Sequence, residues 1–230
     1  MAAQPTDSTA HIPTDPDTRP LALFDLDGTL TDPADGILSC HRFALEAFGF
    51  PWNDDIDPRA LIGPPVEESH TLLGVPADAV DRTAAKYRER FAVAGWLDDA
   101  PYDGIADLLD SLRTAGWTLG VATMKLEPFA VRILERVGFA EHFDVVAGSD
   151  VQRTRRTKRA IIEHAVSQLD RPPAGTAMIG DRRHDVEAAL SLSMTAIGVT
   201  WGFGSIEELM TANAHHIAMN PADIAEALLG

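Results

Sequence analysis

Leu21-Ala22-Leu23-Phe24-Asp25-Leu26-Asp27-Gly28-Thr29-Leu30 is the stretch on which the reading of the whole chain turns. Four apolar residues in succession predict a short strand buried on both faces, as in the middle of a parallel sheet. Two aspartates then contradict that burial. Residues i and i+2 of an extended chain point the same way, so Asp25 and Asp27 share a face. Adjacent carboxylates repel unless a cation lies between them or one holds a proton. Gly28-Thr29 turns the chain where backbone N–H groups can point at an anion. A carboxylate pair, a hard-cation site and an amide-lined turn together suggest phosphate chemistry. Two other readings compete: a strand-end turn capped by acids, and a calcium loop, which Asp-x-Asp-Gly also opens. The calcium reading fails at the next positions, where Thr29 and Leu30 stand and no glutamate falls at the loop spacing.

The 230 residues suffice for one good core and a small second unit. With 19 basic against 35 acidic residues the net charge is −16. That balance lacks the footprint of a protein that binds nucleic-acid polymers, and it disfavours anionic membranes. Cys40 is the single cysteine, so neither a disulfide framework nor a zinc cluster is available. It falls at helical spacing with Ile37, Ala44 and Phe48, which predicts an apolar role. No run of 18 apolar residues occurs, and the first residues lack the basic and apolar regions of a signal peptide. The expectation is a soluble, cytoplasmic protein, a monomer or homodimer.

Residues 1–19, rich in Pro, Thr and Asp, predict a disordered tail. From 33 to 97 the pattern is helical throughout, with helices over about 33–48, 66–73 and 77–94 closed by Gly49, Gly74 and Gly95. A crossover between neighbouring parallel strands needs only about a dozen residues, so this block predicts a small helical cap domain inserted into the sheet domain. From 101 onward, helices and short apolar strands alternate: strands at 118–122, 143–147, 176–180, 195–199 and around Ile217, helices at 102–112, 128–137, 158–169, 185–192 and 221–229. The expected fold is therefore α/β, a Rossmann-like doubly wound parallel sheet built from 20–32 and 98–230, carrying an α-helical cap. In such sheets the crevice lies beyond the carboxyl ends of the strands. Those ends read Asp25-Leu26-Asp27, Thr123-Met124-Lys125, Gly148-Ser149-Asp150, Gly180-Asp181 and Thr200-Trp201-Gly202. Five small, hydroxylated or acidic strand ends at one rim describe a site.

Asp25-x-Asp27-Gly28-Thr29 resembles the first motif of the haloacid dehalogenase-like (HAD) hydrolases, most of which are magnesium-dependent phosphatases. The resemblance extends over nearly all of 21–229, with further motifs around Thr123, Arg155-x-x-Lys158 and Gly180-Asp181. Pro101-Tyr102-Asp103-Gly104-Ile105, Ala122-Thr123-Met124-Lys125 and Gly198-Val199-Thr200-Trp201-Gly202 are similar to the phosphoglycolate phosphatase-like and bacterial 5′-nucleotidase-like branch, with Met124 standing where that branch usually has serine.

A carboxylate such as Asp25 can attack a phosphoryl group and form an aspartyl-phosphate. Asp27 would protonate the leaving oxygen and later deprotonate water. Asp25, Asp181 and the Asp27 carbonyl could hold Mg²⁺. Asp181 and Asp185 could instead cap the helix that comes after them. Thr123 offers a hydroxyl and an amide to a phosphate oxygen, although strand-end hydroxyls also serve as caps. A balancing cation is needed, and Lys125 and Lys158, the latter among Arg155, Arg156 and Arg159, are both candidates. The resemblance selects Lys158, with Asp185 beside the metal or paired with that lysine. Gly28, Thr29, Met124 and Lys125 complete the expected substrate surface. The substrate implied is a small phosphate ester, a nucleoside 5′-monophosphate or phosphoglycolate. A non-catalytic or regulatory phosphate-binding protein and a phosphotransferase of the same fold are the alternatives. Specificity is expected from the cap, with His41, Arg42, Arg59, Pro64-Pro65, Glu68 and Ser69 as candidate contacts, and from Trp201 or Phe203.

Overall fold

The computed structural model describes residues 19–152 and 154–230; apart from Arg19, the expected N-terminal tail lies outside the described residues. Strand β1 (Leu21–Phe24) leads through a tight loop to a two-residue strand, β2 (Thr31–Asp32). Helices α1 (Ala34–Glu46), α2 (Val66–Leu72) and α3 (Val80–Arg90) follow, and the chain returns through β3 (Ala100–Pro101). From there helix and strand alternate: α4 (Ile105–Thr114), β4 (Thr118–Leu126), α5 (Glu127–Val137), β5 (Val145–Ser149), α6 (Lys158–Gln168), β6 (Ala177–Gly180), α7 (Arg183–Ser191), β7 (Thr195–Val199), α8 (Ile206–Thr211), β8 (His216–Ala218) and α9 (Pro221–Leu229).

Six strands form one parallel sheet in the order β5-β4-β1-β6-β7-β8. β1 lies inside it, with Phe24 opposite Val121 of β4 and Ile179 of β6. Its alternate residues bury on opposite faces, as the apolar run requires. Ala22 and Phe24 join the layer formed with Ile105, Leu109, Leu134 and Ile224, whereas Leu21 and Leu23 join that of Ile161, Ile162, Val186 and Leu209. Leu21, Leu23 and Phe24 are at most 2% exposed, and each such side chain contributes about 1.5–3 kcal/mol of burial. The loop that carries Asp25 and Asp27 therefore hangs from a firmly held strand. The chain runs from β1 outward to β5, then crosses to β6 on the other flank of β1. That reversal of direction opens a crevice at the carboxyl ends of β1 and β6.

The helices between β2 and β3 have apolar clusters of their own. One gathers Leu45, Leu61, Leu73, Val75 and Val80; the other gathers Ile37, Cys40, Ala44, Ile62 and Tyr87, with Phe203 of the sheet unit packed against it. Cys40 is fully buried, as its spacing implied. The unit joins the sheet through an antiparallel ribbon, Thr31 opposite Pro101 and Asp32 opposite Ala100.

Several details depart from expectation. The ribbon is too short to leave a periodic signature, and so is α8, whose N-terminus Ser205 caps by accepting the Glu208 N–H at 3.0 Å. The third helix of this segment starts at Val80 rather than 77 and changes to a π-turn over Phe91–Gly95. β5 covers 145–149 rather than 143–147, which places Gly148-Ser149 inside the strand. β4 runs on to Leu126, and its pairing with β5 shifts between Ala122 and Leu126. Such a bulge re-aims side chains: Thr123 is buried, Met124 is 45% exposed, and the Lys125 side chain turns inward.

Candidate active site

Asp25 follows β1 directly, and its N–H continues the ladder to the Ile179 carbonyl at 2.8 Å. Its Oδ1 accepts the Leu26 amide at 2.7 Å, and its Oδ2 lies 2.8 Å from Lys158 Nζ. Lys158, at the N-terminus of α6, is 5% exposed. Its ammonium also lies 2.7 Å from Asp185 Oδ1 and donates to the Ala122 carbonyl at 2.9 Å. Burial pushes the Lys158 pKa down, but Asp185 and Asp25 outweigh it and hold it above the ordinary lysine value. The lysine is charged and fixed from three sides. Thr123, the residue after Ala122, is 1% exposed, and its Oγ1 accepts the Lys125 amide at 3.2 Å.

Asp181 follows β6, opposite Asp25. Its Oδ2 accepts the Phe203 N–H at 2.7 Å, while its buried Oδ1 has no partner. Ligand atoms of Asp25, Asp181 and Asp185 all lie within 4.8 Å of one another. Burial, with Asp185 and Asp25 as neighbours, pushes the Asp181 carboxyl up to about 8. Asp185 rises to about 6, because burial and Asp25 outweigh Lys158. Three clustered carboxylates, two of them on one ammonium and the third with a buried oxygen left bare, form a donor set suited to a hard divalent cation. Asp185 also caps α7 by accepting the Arg182 amide at 3.1 Å, so its capping and site readings hold together. Asp181 does not cap.

Asp27 faces another cation. Lys125 Nζ lies 2.7 Å from each of its carboxylate oxygens. Burial raises the Asp27 pKa in spite of this lysine, and Asp27 and Asp99 raise the Lys125 pKa in spite of burial. The two lysines that the sequence left as rivals thus serve different acids: Lys158 meets Asp25, and Lys125 meets Asp27.

The turn at Gly28-Thr29 corrects one expectation. Its amides are engaged, Gly28 N–H to the Thr31 carbonyl at 2.8 Å and Thr29 N–H to the Leu26 carbonyl at 3.2 Å. Gly28 instead makes room: at φ +81° its Cβ would lie 2.3 Å from Asp181 Oδ2. Gly202 closes over the same turn, since a Cβ there would lie 2.3 Å from the Gly28 carbonyl oxygen. Trp201 Nε1 donates to the Thr29 carbonyl at 3.1 Å, and the Thr29 hydroxyl is buried without a partner.

These motifs and this fold have counterparts. The model of the haloacid dehalogenase-like hydrolase family matches residues 22–199. The chain belongs to that family. It is 40% identical over 201 residues to the tyrosine-protein kinase PtkA of Mycobacterium tuberculosis, covering 86% of this chain and 69% of that protein. It is 37% identical over 210 residues to a 5′-nucleotidase of Pseudomonas aeruginosa, covering 91% and 95%. The crystal structure of a predicted phosphatase from Clostridium acetobutylicum superimposes with a TM-score of 0.82 at 36% identity, covering 92% of this chain and 98% of the other.

In this HAD-family chain several cap candidates lie away from the carboxylates. His41 and Ser69 are buried among the helices between β2 and β3, His41 against Tyr87 at 4.6 Å between ring centroids and Ser69 donating to the Leu61 carbonyl at 3.3 Å. Arg42 stacks on Trp52 at 3.9 Å, and Glu68 is exposed. Arg59 bridges to the sheet unit by donating to the Gly202 carbonyl at 2.5 Å. With Ile62, Pro64 and Phe203 it lines a cavity of about 530 Å³, and none of the site aspartates is among the lining residues. One site residue escaped the sequence reading. Asp99 is 1% exposed and lies 3.7 Å from Lys125 Nζ. In sequence it is the second acid of Asp98-Asp99 before Pro101, indistinguishable from a solvated turn.

Proposed function

We propose that this HAD-family chain is a magnesium-dependent phosphomonoester hydrolase that works through an aspartyl-phosphate on Asp25. The observation that carries this reading is the division of labour among the acids: Asp25 is bound by Lys158 and faces Asp181, whereas Asp27, two residues on, is held apart by its own lysine. Asp25 would attack phosphorus in line while the ester P–O bond breaks. The electron pair of that bond leaves on the ester oxygen, which takes the proton of Asp27. Asp27, now a carboxylate, takes a proton from water as the water oxygen attacks phosphorus. Breaking the bond to Asp25 then frees phosphate and restores the nucleophile. Thr123 and Lys158 would hold the phosphoryl oxygens, with Lys158 also keeping Asp25 oriented. Asp25, Asp181 and the Asp27 carbonyl, with Asp185 beside them, would hold Mg²⁺, which when bound neutralises charge between the anionic nucleophile and the phosphoryl group. Segment 33–97 would act as the cap that closes over the leaving group and excludes water.

The similarity to a 5′-nucleotidase supports small phosphate esters, such as nucleoside 5′-monophosphates, as substrates. A second reading, transfer of the phosphoryl group to a protein hydroxyl instead of water, is favoured by the similarity to PtkA. Both readings share the Asp25 intermediate and differ only in the acceptor. Phosphate release is to be measured over nucleotides, phosphoglycolate, sugar phosphates and p-nitrophenyl phosphate, with and without Mg²⁺. Asp25→Asn is expected to abolish release from every ester that the native protein hydrolyses. Retention of most activity by that variant would refute the nucleophile assignment. Release of no phosphate from any ester, with label appearing on an added protein tyrosine, would favour the transferase.

A further inference from the structure

Lys125 and Asp99 form a buried pair for which the hydrolytic steps alone have no use. The side chains of Lys125 and Asp99 are 6% and 0% exposed, and 3.7 Å separates Nζ from Asp99 Oδ2. On another side the same ammonium reaches both oxygens of Asp27 at 2.7 Å, and on a third it lies 5.3 Å from the ring centre of Phe91 in the cap π-turn. Neither carboxylate oxygen of Asp99 has a hydrogen-bond partner. Burial pushes the Asp99 carboxyl up to about 7, and the charge of Lys125, with Arg136 as a lesser contributor, offsets part of that cost. The backbone carbonyl of Asp99 accepts from the Arg136 guanidinium, which ties this point of the chain to α5. Lys158, read as the phosphate clamp, meets the nucleophile Asp25, whereas Lys125 meets Asp27 from the bulged end of β4, and its counter-charge sits one residue before β3.

We propose that Lys125 is a positioning residue for Asp27, and that Asp99 anchors it from the strand returning from the cap. The proposal rests on reading Asp27 as the acid that protonates the leaving oxygen. The two-point grip fixes the plane of the carboxyl group. When Asp27 carries its proton, the ammonium keeps one oxygen and leaves the O–H facing the ester. As the P–O bond breaks, the proton passes from Asp27 to the departing oxygen, while Lys125 gives up none. Holding the acid within a fraction of an ångström is what makes that transfer effective. Because Asp99 belongs to the cap junction, the grip also links the acid to the seating of the cap.

The test compares kcat/KM for p-nitrophenyl phosphate, whose leaving oxygen departs without a proton, with that for phenyl phosphate, whose more basic oxygen needs one. This ratio reports steps up to departure of the leaving group, so the later water step does not enter it. Lys125→Met is expected to lower the phenyl phosphate value by about 10²-fold and the p-nitrophenyl phosphate value by only about threefold, with KM little changed. Lys125→Arg should recover part of the phenyl phosphate rate, and Asp99→Asn should show the same selectivity at smaller amplitude. Equal losses on both esters with a raised KM would show that Lys125 binds the phosphoryl group, and would overturn the proposal. If Lys125→Met does not fold because Asp99 is left unpaired, the double variant Lys125→Met/Asp99→Asn carries the same two expectations. Asp27→Asn is the control. If it spares phenyl phosphate hydrolysis, the acid assignment falls and the proposal with it, whereas selective loss in Asp27→Asn but not in the Lys125 variants refutes the positioning role alone.

Discussion

Asp181→Asn should make the metal-free protein more stable at neutral pH while abolishing its response to Mg²⁺. Asp181 is 1% exposed, and its carboxyl is raised from 3.8 to about 8. A raised acid contributes most stability below its unfolded value, and that contribution is lost as pH rises toward the folded value. For Asp181 the window runs from pH 3.8 to about 8. At pH 7 the loss spans about three pH units at about 1.4 kcal/mol each, or roughly 4 kcal/mol. Asparagine carries no charge, and its carbonyl can still accept the Phe203 N–H that Asp181 Oδ2 accepts at 2.7 Å. The variant should therefore recover about 2–4 kcal/mol in EDTA at pH 7, seen as a rise in Tm of roughly 4–16 °C for a chain of this size. The native protein should gain about 2.7 kcal/mol from Mg²⁺ at a hundred times its Kd, and the variant almost nothing. The assay is thermal and urea unfolding at pH 5, 7 and 8, in EDTA and in Mg²⁺. A variant less stable than the native protein in EDTA at pH 7, or one stabilised by Mg²⁺ as much as the native protein, would refute the reasoning.

Two further perturbations probe the helices between β2 and β3 and the turn after β1. Burial and the neighbouring His70 push the His41 imidazole down to about 3. A depressed base contributes stability above its unfolded value and loses it as pH falls, so between pH 6.5 and about 3 each unit should remove about 1.4 kcal/mol. His41→Gln should flatten this acid limb in circular dichroism melts, and an unchanged slope would show that His41 does not set it. Gly202→Ala would place a Cβ 2.3 Å from the Gly28 carbonyl oxygen and 2.5 Å from Asp181 Cβ. It should cost about 1–3 kcal/mol in urea unfolding and lower kcat/KM as well; native stability and activity in this variant would mean that the loop at 202–204 does not press on the Asp25–Gly28 turn.

The acids that the strand ends advertised do converge. Asp25, Asp181 and Asp185 stand in one cluster, with Thr123 and Lys158 at the same rim, because a parallel sheet delivers the residue after each strand to one edge. Alternation suggested a carboxylate pair sharing one cation, but Asp25 meets Lys158 and Asp27 meets Lys125. What Gly28-Thr29 contributes was not legible: its amides close the turn, and the value of Gly28 lies in the missing Cβ beside Asp181. Asp99 was hidden for a different reason. Nothing in Asp98-Asp99-Ala100-Pro101 distinguishes a buried acid from a solvated one.

The sequence by itself determined the class of the fold, the central strand and the carboxylates beyond it, since apolar runs, period-two alternation and strand-end chemistry are local properties. Only the tertiary structure decided which cation serves which acid. Lys125 and Asp27 are 98 positions apart in the chain, and their meeting depends on β4 lying beside β1 in one register with a bulge at its end. Only the tertiary structure, too, showed that the segment leading into β3 brings a buried carboxylate to that same lysine. Charge pairing inside a protein follows from distance and burial, and neither is written in the spacing of residues along the chain.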